Sequence, residues 1–153
     1  MSGLLDTHMW VWWLTPGSPL SRAERDALDA QAGRRELFLP AISLWEVQVL
    51  HAKRRFELPL PFAEWLARAA DERVISVLPL SIEVVFALDA LPASFHGDPA
   101  DRLIVATARA HAMPLATHDA AIRRSRTAKI WKPRTPRPGQ ALYDDVVIKA
   151  GRA

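Results

Sequence analysis

The 153-residue sequence contains no cysteine. That excludes disulfides, thiolate metal sites and cysteine nucleophiles, and it fits a reducing, cytoplasmic setting. No stretch is long and uncharged enough to span a bilayer. The apolar N-terminus around Leu4–Leu14 is interrupted by Asp6 and His8. It has no basic region before it and no clear small-residue cleavage site after it, so it does not read as a signal peptide. There is no internal repeat and no Ser-His-Asp pattern. The Asp-x-Asp signature of a strand-end phosphotransferase is also missing, because position 8 is His8. Acidic residues are absent from Ala120 to Tyr143, a stretch that carries seven basic ones: Arg123, Arg124, Arg126, Lys129, Lys132, Arg134 and Arg137.

What is present bounds the chain further. The length suits one domain, and a hydrophobic fraction of 50% supplies one substantial core. The net charge is +3 and the sequence pI about 9.8. The bias is mild overall but concentrated in the basic stretch. Such a stretch is either an electrostatic footprint for a polyanion or a solvated face or tail. Three prolines between Lys132 and Gly139 read as an extended linker, so residues 1–131 are taken as the domain and 132–153 as an extension of open structure.

Along the chain, apolar segments alternate with capped helical ones. Gly3–Asp6 reads as a buried strand, followed by a helix over Thr7–Leu14 with Thr7 able to cap it. Ser21-Arg22-Ala23-Glu24 matches a capping box and predicts a helix to about Ala32. Glu36–Leu39 is a second strand. Ser43 is expected to cap a helix from Leu44 to Arg54, with Glu46 in its first turn. A helix over Phe62–Ala70, a strand over Val74–Leu78 and a helix over Ser81–Leu91 follow. Asp98 as cap with Pro99 at the first position predicts a helix to about Ala112. Pro114–Thr117 is a fourth strand, Asp119 opens a short helix, and Ala128–Trp131 reads as a fifth, edge strand. Strands alternating with helices argue for an α/β fold with a parallel, about five-stranded sheet covered on both faces.

Four carboxylates stand at the edges of apolar segments: Asp6, Glu46, Asp101 and Asp119. Carboxylates rarely sit beside buried segments unless something pairs with them. In a parallel α/β sheet, ligands bind beyond the carboxyl ends of the strands, where the strand order reverses. Asp6 and Asp119 fall just past such ends, and Asp101 opens a nearly all-apolar helix, so one crevice is expected to collect all four. A hard divalent cation, Mg2+ or Mn2+, is the usual remedy for clustered carboxylates. Taken singly, each acid has a plain reading as a helix cap or first-turn residue, and Asp98 as a cap or a partner of Arg102.

The order Leu5-Asp6-Thr7-His8, Ser43-Leu44-Trp45-Glu46, Asp98-Pro99-Ala100-Asp101-Arg102-Leu103-Ile104, Thr117-His118-Asp119 resembles a PIN-domain ribonuclease over about Gly3 to Trp131. More narrowly it is similar to the VapC toxins of toxin–antitoxin pairs. The resemblance implies a three-layer α/β/α sandwich and metal-assisted hydrolysis of RNA, leaving 5′-phosphate and 3′-hydroxyl ends. It implies that Asp6, Glu46, Asp101 and Asp119 form the catalytic quartet. Asp6 and Asp101 would be the most direct ligands of Mg2+ or Mn2+, and Glu46 and Asp119 would act directly or through water. Asp98 matches an extra acid of one branch, and Thr7 and Thr117 match supporting hydroxyls. The pattern does not require His8 or His118, which are read as structural or substrate-adjacent. Arg123, Arg124, Arg126, Lys129 and Lys132 are candidates to hold the RNA backbone. A homodimer and a VapB-type antitoxin are the implied partners. The extension beyond Trp131 departs from the compact toxin pattern.

Six tryptophans admit two readings, base stacking or packing, and packing in the core and at interfaces is preferred. Trp12 and Trp13 are adjacent and point in different directions on a helix, so they are not expected to share one core, and one of them is a candidate to meet a partner chain. Other functions compete with the toxin reading: a silent RNA-binding module of the same fold, a housekeeping RNA-processing nuclease, or an aspartyl phosphotransfer domain. A degraded module should have lost an acid, and all four are retained.

Overall fold

A computed structural model describes residues 2–134. The chain runs β1 (Gly3–Leu5), α1 (Thr7–Trp13), α2 (Arg22–Gly33), β2 (Leu37–Pro40), α3 (Ile42–Ala52), α4 (Phe62–Ala69), β3 (Ser76–Leu78), α5 (Ile82–Asp89), α6 (Pro99–Ala110), β4 (Leu115–Ala116) and α7 (Ala120–Ser125). The four strands form one parallel sheet in the order β3-β2-β1-β4. From β1 the chain builds outward through β2 and β3, then returns to place β4 on the other side. The strand order therefore reverses between β1 and β4, which opens the ligand crevice of a doubly wound sheet at their carboxyl ends.

The expected fifth strand over Ala128–Trp131 reduces to one parallel bridge, Leu115 to Ile130. Leu115 N donates to Lys129 O at 2.7 Å, and Trp131 N to Leu115 O at 2.9 Å. The two-residue β4 is too short to pair with more. The Trp131 indole donates instead to the buried Gln31 side chain at 2.7 Å, anchoring the segment beside α2. Of the expected extension at 132–153, the part beyond Arg134 lies outside the described residues, Arg137 included.

Strand alternation builds the three layers. Successive residues of β1 point to opposite faces. Leu5 joins Met9, Trp10, Trp13, Leu28 and Trp65 on one side of the sheet. Leu4 joins Leu91, Phe95, Ile104, Val105 and Ala108 on the other. Both leucines are fully buried. Trp10, Trp13, Trp65 and Trp131 are buried, whereas Trp12 is half-buried and Trp45 exposed. Trp10 and Trp13 secure their indole N–H groups on Ala69 O and the Asp29 carboxylate.

Two helix starts differ from expectation. Asp6, not Thr7, caps α1. The turn before α3 begins at Ala41 without a side-chain cap, which puts Ser43 inside the helix and Glu46 in its second turn. Ser43 is needed elsewhere: its buried hydroxyl accepts from Thr7 Oγ1 at 2.9 Å and ties α3 to α1. The expected capping box on α2 is formed by Ser21 and Glu24.

Leu5→Ala is expected to cost about 2–5 kcal/mol in chemical denaturation, because the central strand has no room to collapse around the lost side chain. A cost below about 1 kcal/mol would contradict this placement of the core.

Candidate metal centre

The crevice is a cavity of about 320 Å3, and Asp6, Glu46, Asp98, Asp101 and Asp119 all line it. Its position follows from the fold. Asp6 leaves β1, and Thr117 to Asp119 leave β4 one strand away. The helix α6, packed against α3, brings Asp98 and Asp101 opposite Glu46. No lysine or arginine is among the described residues that line it.

Most of the acids are pinned by backbone. Asp6 Oδ1 accepts from Met9 N at 2.8 Å, Asp98 Oδ1 from Asp101 N at 2.9 Å, and Asp119 Oδ1 from Ile122 N at 2.8 Å. Each is the N-cap of its helix, and Asp101 lies in the first turn of α6. Helix N-termini favour negative charge, so the local sequence that starts each helix also holds an acid in place. Thr117 bridges two of them. Its hydroxyl bonds the Asp6 carboxylate, and its Oγ1 accepts from Asp119 N at 3.0 Å. Among the described residues the Thr7 hydroxyl donates to Ser43, three residues before Glu46, and not to an acid.

The tightest group is Glu46, Asp98 and Asp101, each with a carboxylate oxygen within 4.8 Å of the others. Asp6, expected among the most direct ligands, lines the same cavity but stands outside this trio, because capping α1 draws its carboxylate into the buried floor. Asp98, the extra acid of the sequence reading, belongs to the trio. The basic residues Arg123, Arg124, Arg126, Lys129 and Lys132 are all exposed on α7 and the segment after it, and none lines the cavity.

Electrostatics reflect the crowding. Asp101 is pushed up to about 7 by burial and by the charges of Asp98, Asp119, Glu46 and Asp6. Asp6 is raised by burial, with Glu46 adding to the rise. The Thr117 and Met9 hydrogen bonds and nearby His8 oppose it. Five acids thus share one field with no lysine or arginine among the described residues lining it, and these acids offer only oxygen ligands. These residues fit a hard divalent ion.

One residue near the site escaped the sequence reading, which left Pro92–Gly97 as a loop. His96 Nε2 lies 3.5 Å from Asp101 Oδ2, an ion-pair distance too long for a well-formed hydrogen bond. That nitrogen is buried and makes no hydrogen bond among the described residues. The ring stacks on Phe95 at 4.6 Å. Its only sequence signal is a position two residues before the cap of α6.

Comparison with known proteins gives concordant results. The PIN domain family model matches residues 3–127. Ribonuclease VapC22 of Mycobacterium tuberculosis (strain ATCC 25618 / H37Rv) is 39% identical over 124 residues, covering 80% of this chain and 91% of that one. Two solved structures share the fold. VapBC2 from Rickettsia felis, bound to a DNA fragment from its promoter, gives a TM-score of 0.64 at 18% identity over 86% of this chain and 98% of that one. FitAcB from Neisseria gonorrhoeae gives 0.61 at 21% identity over 86% and 97%.

The raised Asp101 sets a pH dependence. Its folded pKa lies above the unfolded value, so the folded state holds the extra proton and loses stability as pH rises from about 4 to about 7. In chelator, Asp101→Asn is therefore expected to exceed wild type by ~1 kcal/mol at pH 8, after allowance for solvent screening, and to match it near pH 4. Urea unfolding at the two pH values checks this; a gap independent of pH would refute it.

Proposed function

The chain belongs to the PIN-domain family, and on that premise we propose that it is a divalent-cation-dependent endoribonuclease of the VapC toxin type. The observation that carries this reading is the convergence of five carboxylates on one cavity, with no lysine or arginine among the described residues that line it. Glu46, Asp98 and Asp101 would hold the ion, with Asp6 and Asp119 completing the site directly or through water. The all-oxygen donor set favours Mg2+ or Mn2+. When bound, such an ion supplies an acidified water and neutralises charge building on the phosphate.

The chain's own residues do the rest. The capping hydrogen bonds of Asp6, Asp98 and Asp119 commit one oxygen of each to backbone and fix where the other points. Thr117 keeps Asp6 and Asp119 in register. No side-chain nucleophile is required, in keeping with the absence of cysteine, and the products carry 5′-phosphate and 3′-hydroxyl ends. Arg123, Arg124, Arg126, Lys129 and Lys132 hold the RNA backbone outside the cavity, a contribution that weakens with salt.

The partners follow from the same site. A VapB-type antitoxin silences the enzyme by placing a cationic side chain among the acids, where it replaces metal charge and blocks RNA. The toxin acts as a homodimer in the cytoplasm. The relative named Ribonuclease VapC22, 39% identical over most of both chains, supports the VapC type.

Purified, antitoxin-free protein is expected to cut structured RNAs, transfer RNA among them, with Mg2+ and not with excess chelator. Asp6→Asn and Asp101→Asn should each lower kcat at least about a hundredfold. Cleavage that persists in chelator, or in Asp101→Asn at the wild-type rate, would overturn the proposal.

A further inference from the structure

We propose that His8, Trp12 and His118 form a stacking wall for a nucleobase beside the acid cluster, so that these rings, and not the acids alone, position the substrate. The inference rests on the ribonuclease reading and names further substrate-positioning residues of that site. Asp6 caps α1, and the same helix carries His8 and Trp12 four residues apart on one face. Both line the cavity with the acids. His118, from the loop after β4, comes to the other side of Trp12 and lines the cavity too.

The rings form a row. Trp12 meets His8 and His118 at centroid distances of 5.5 Å, and Phe56 stands behind His8 at 5.4 Å. All three contacts are edge-on, with interplanar angles of 63–68°, so none of these rings is covered by a face-to-face neighbour within the row. His118 is held by its contact to Glu24. Burial works against the Glu24 charge, but His118 and Ser21 outweigh it and keep the carboxylate below its ordinary range. His8 is exposed and Trp12 half-buried.

Trp12 also differs from its neighbours in burial. Trp10, Trp13, Trp65 and Trp131 are buried, whereas Trp12 packs half-buried against the edge of that core and lines the cavity as well.

The chemistry selects the ligand. A phosphate held at the acids carries its sugar and base within reach of the cavity walls. Bases in an A-form helix are stacked on each other and their faces are unavailable, whereas splayed bases in loops and ends stack on aromatic side chains. Every base has such a face, so the wall binds an unpaired base without demanding one sequence.

The test compares two fluorescein-labelled probes in Ca2+ buffer: a short oligoadenylate, and the same ribose-phosphate chain with its bases removed. Trp12→Leu and His8→Ala are each expected to weaken oligoadenylate binding about tenfold and to leave the abasic chain within about twofold of wild type. Trp12→Phe should retain most of the affinity. His8 is exposed, so its variant decides the matter even where Trp12→Leu fails to fold. Equal loss on both chains, or no loss on either, overturns the stacking wall. A wild type that cuts RNA with Mg2+ but binds both probes equally overturns this inference alone. One that neither cuts nor binds RNA overturns the ribonuclease reading with it.

Discussion

Mutual repulsion among carboxylates is the constraint around which this molecule is arranged. Glu46, Asp98 and Asp101 bring oxygens within 4.8 Å of one another. Two unit charges at that separation repel by roughly 3–4 kcal/mol even at an effective dielectric near 20. A hydrogen bond to a charged group returns only about 1.5–3 kcal/mol. Anchoring alone therefore does not offset the crowding, and protonation of Asp101 is one relief, which is why its pKa is raised to about 7. A divalent cation is the stronger relief. On the proposed function, an antitoxin's cationic side chain would satisfy the same field by the same physics, which makes activation and silencing competing answers to one electrostatic demand.

The scaffold exists to hold that unfavourable cluster still. The central strand β1 is buried on both faces, and its two leucines seed the two cores. Because the strand order reverses beside it, the residues that follow β1 and β4 emerge into one crevice. The helix caps then do double service: Asp6, Asp98 and Asp119 each start a helix and each face the cavity. Among the described residues no lysine or arginine lines the cavity, and five of them stand exposed on α7 and the segment after it. On the proposed function, that segregation leaves the cavity to a metal and the outer surface to the RNA backbone.

Much of this was legible in the chain because it is written locally. Strand-end Asp6 and Asp119, the Asp98-Pro99 cap and the capping box at Ser21 are short-range signals, and the structure places them on the expected elements. What escaped depends on tertiary contact. Glu46 sits a turn deeper in α3 than expected, because α3 starts from backbone geometry at Ala41 while Ser43 pairs with Thr7 across the fold. No local pattern shows that Asp98 rather than Asp6 joins the tightest trio, or that His96 reaches Asp101 from a loop. The fifth strand shrank to one bridge because the two-residue β4 supports no longer pairing. The tryptophans divide for a like reason: Trp12 and Trp13 are adjacent, and Trp13 is buried in the core whereas Trp12 packs against its edge, half-buried.

The most direct test of the electrostatic account is the melting temperature of chelated protein, followed as Mn2+ is added at pH 8 and at pH 5. Binding to the folded state alone stabilises by about 2.7 kcal/mol at a hundredfold excess over Kd. The account predicts a clear rise in Tm at pH 8 and a smaller one at pH 5, where Asp101 is largely protonated and the field is weaker. A Tm at pH 8 that does not move with Mn2+ would contradict it.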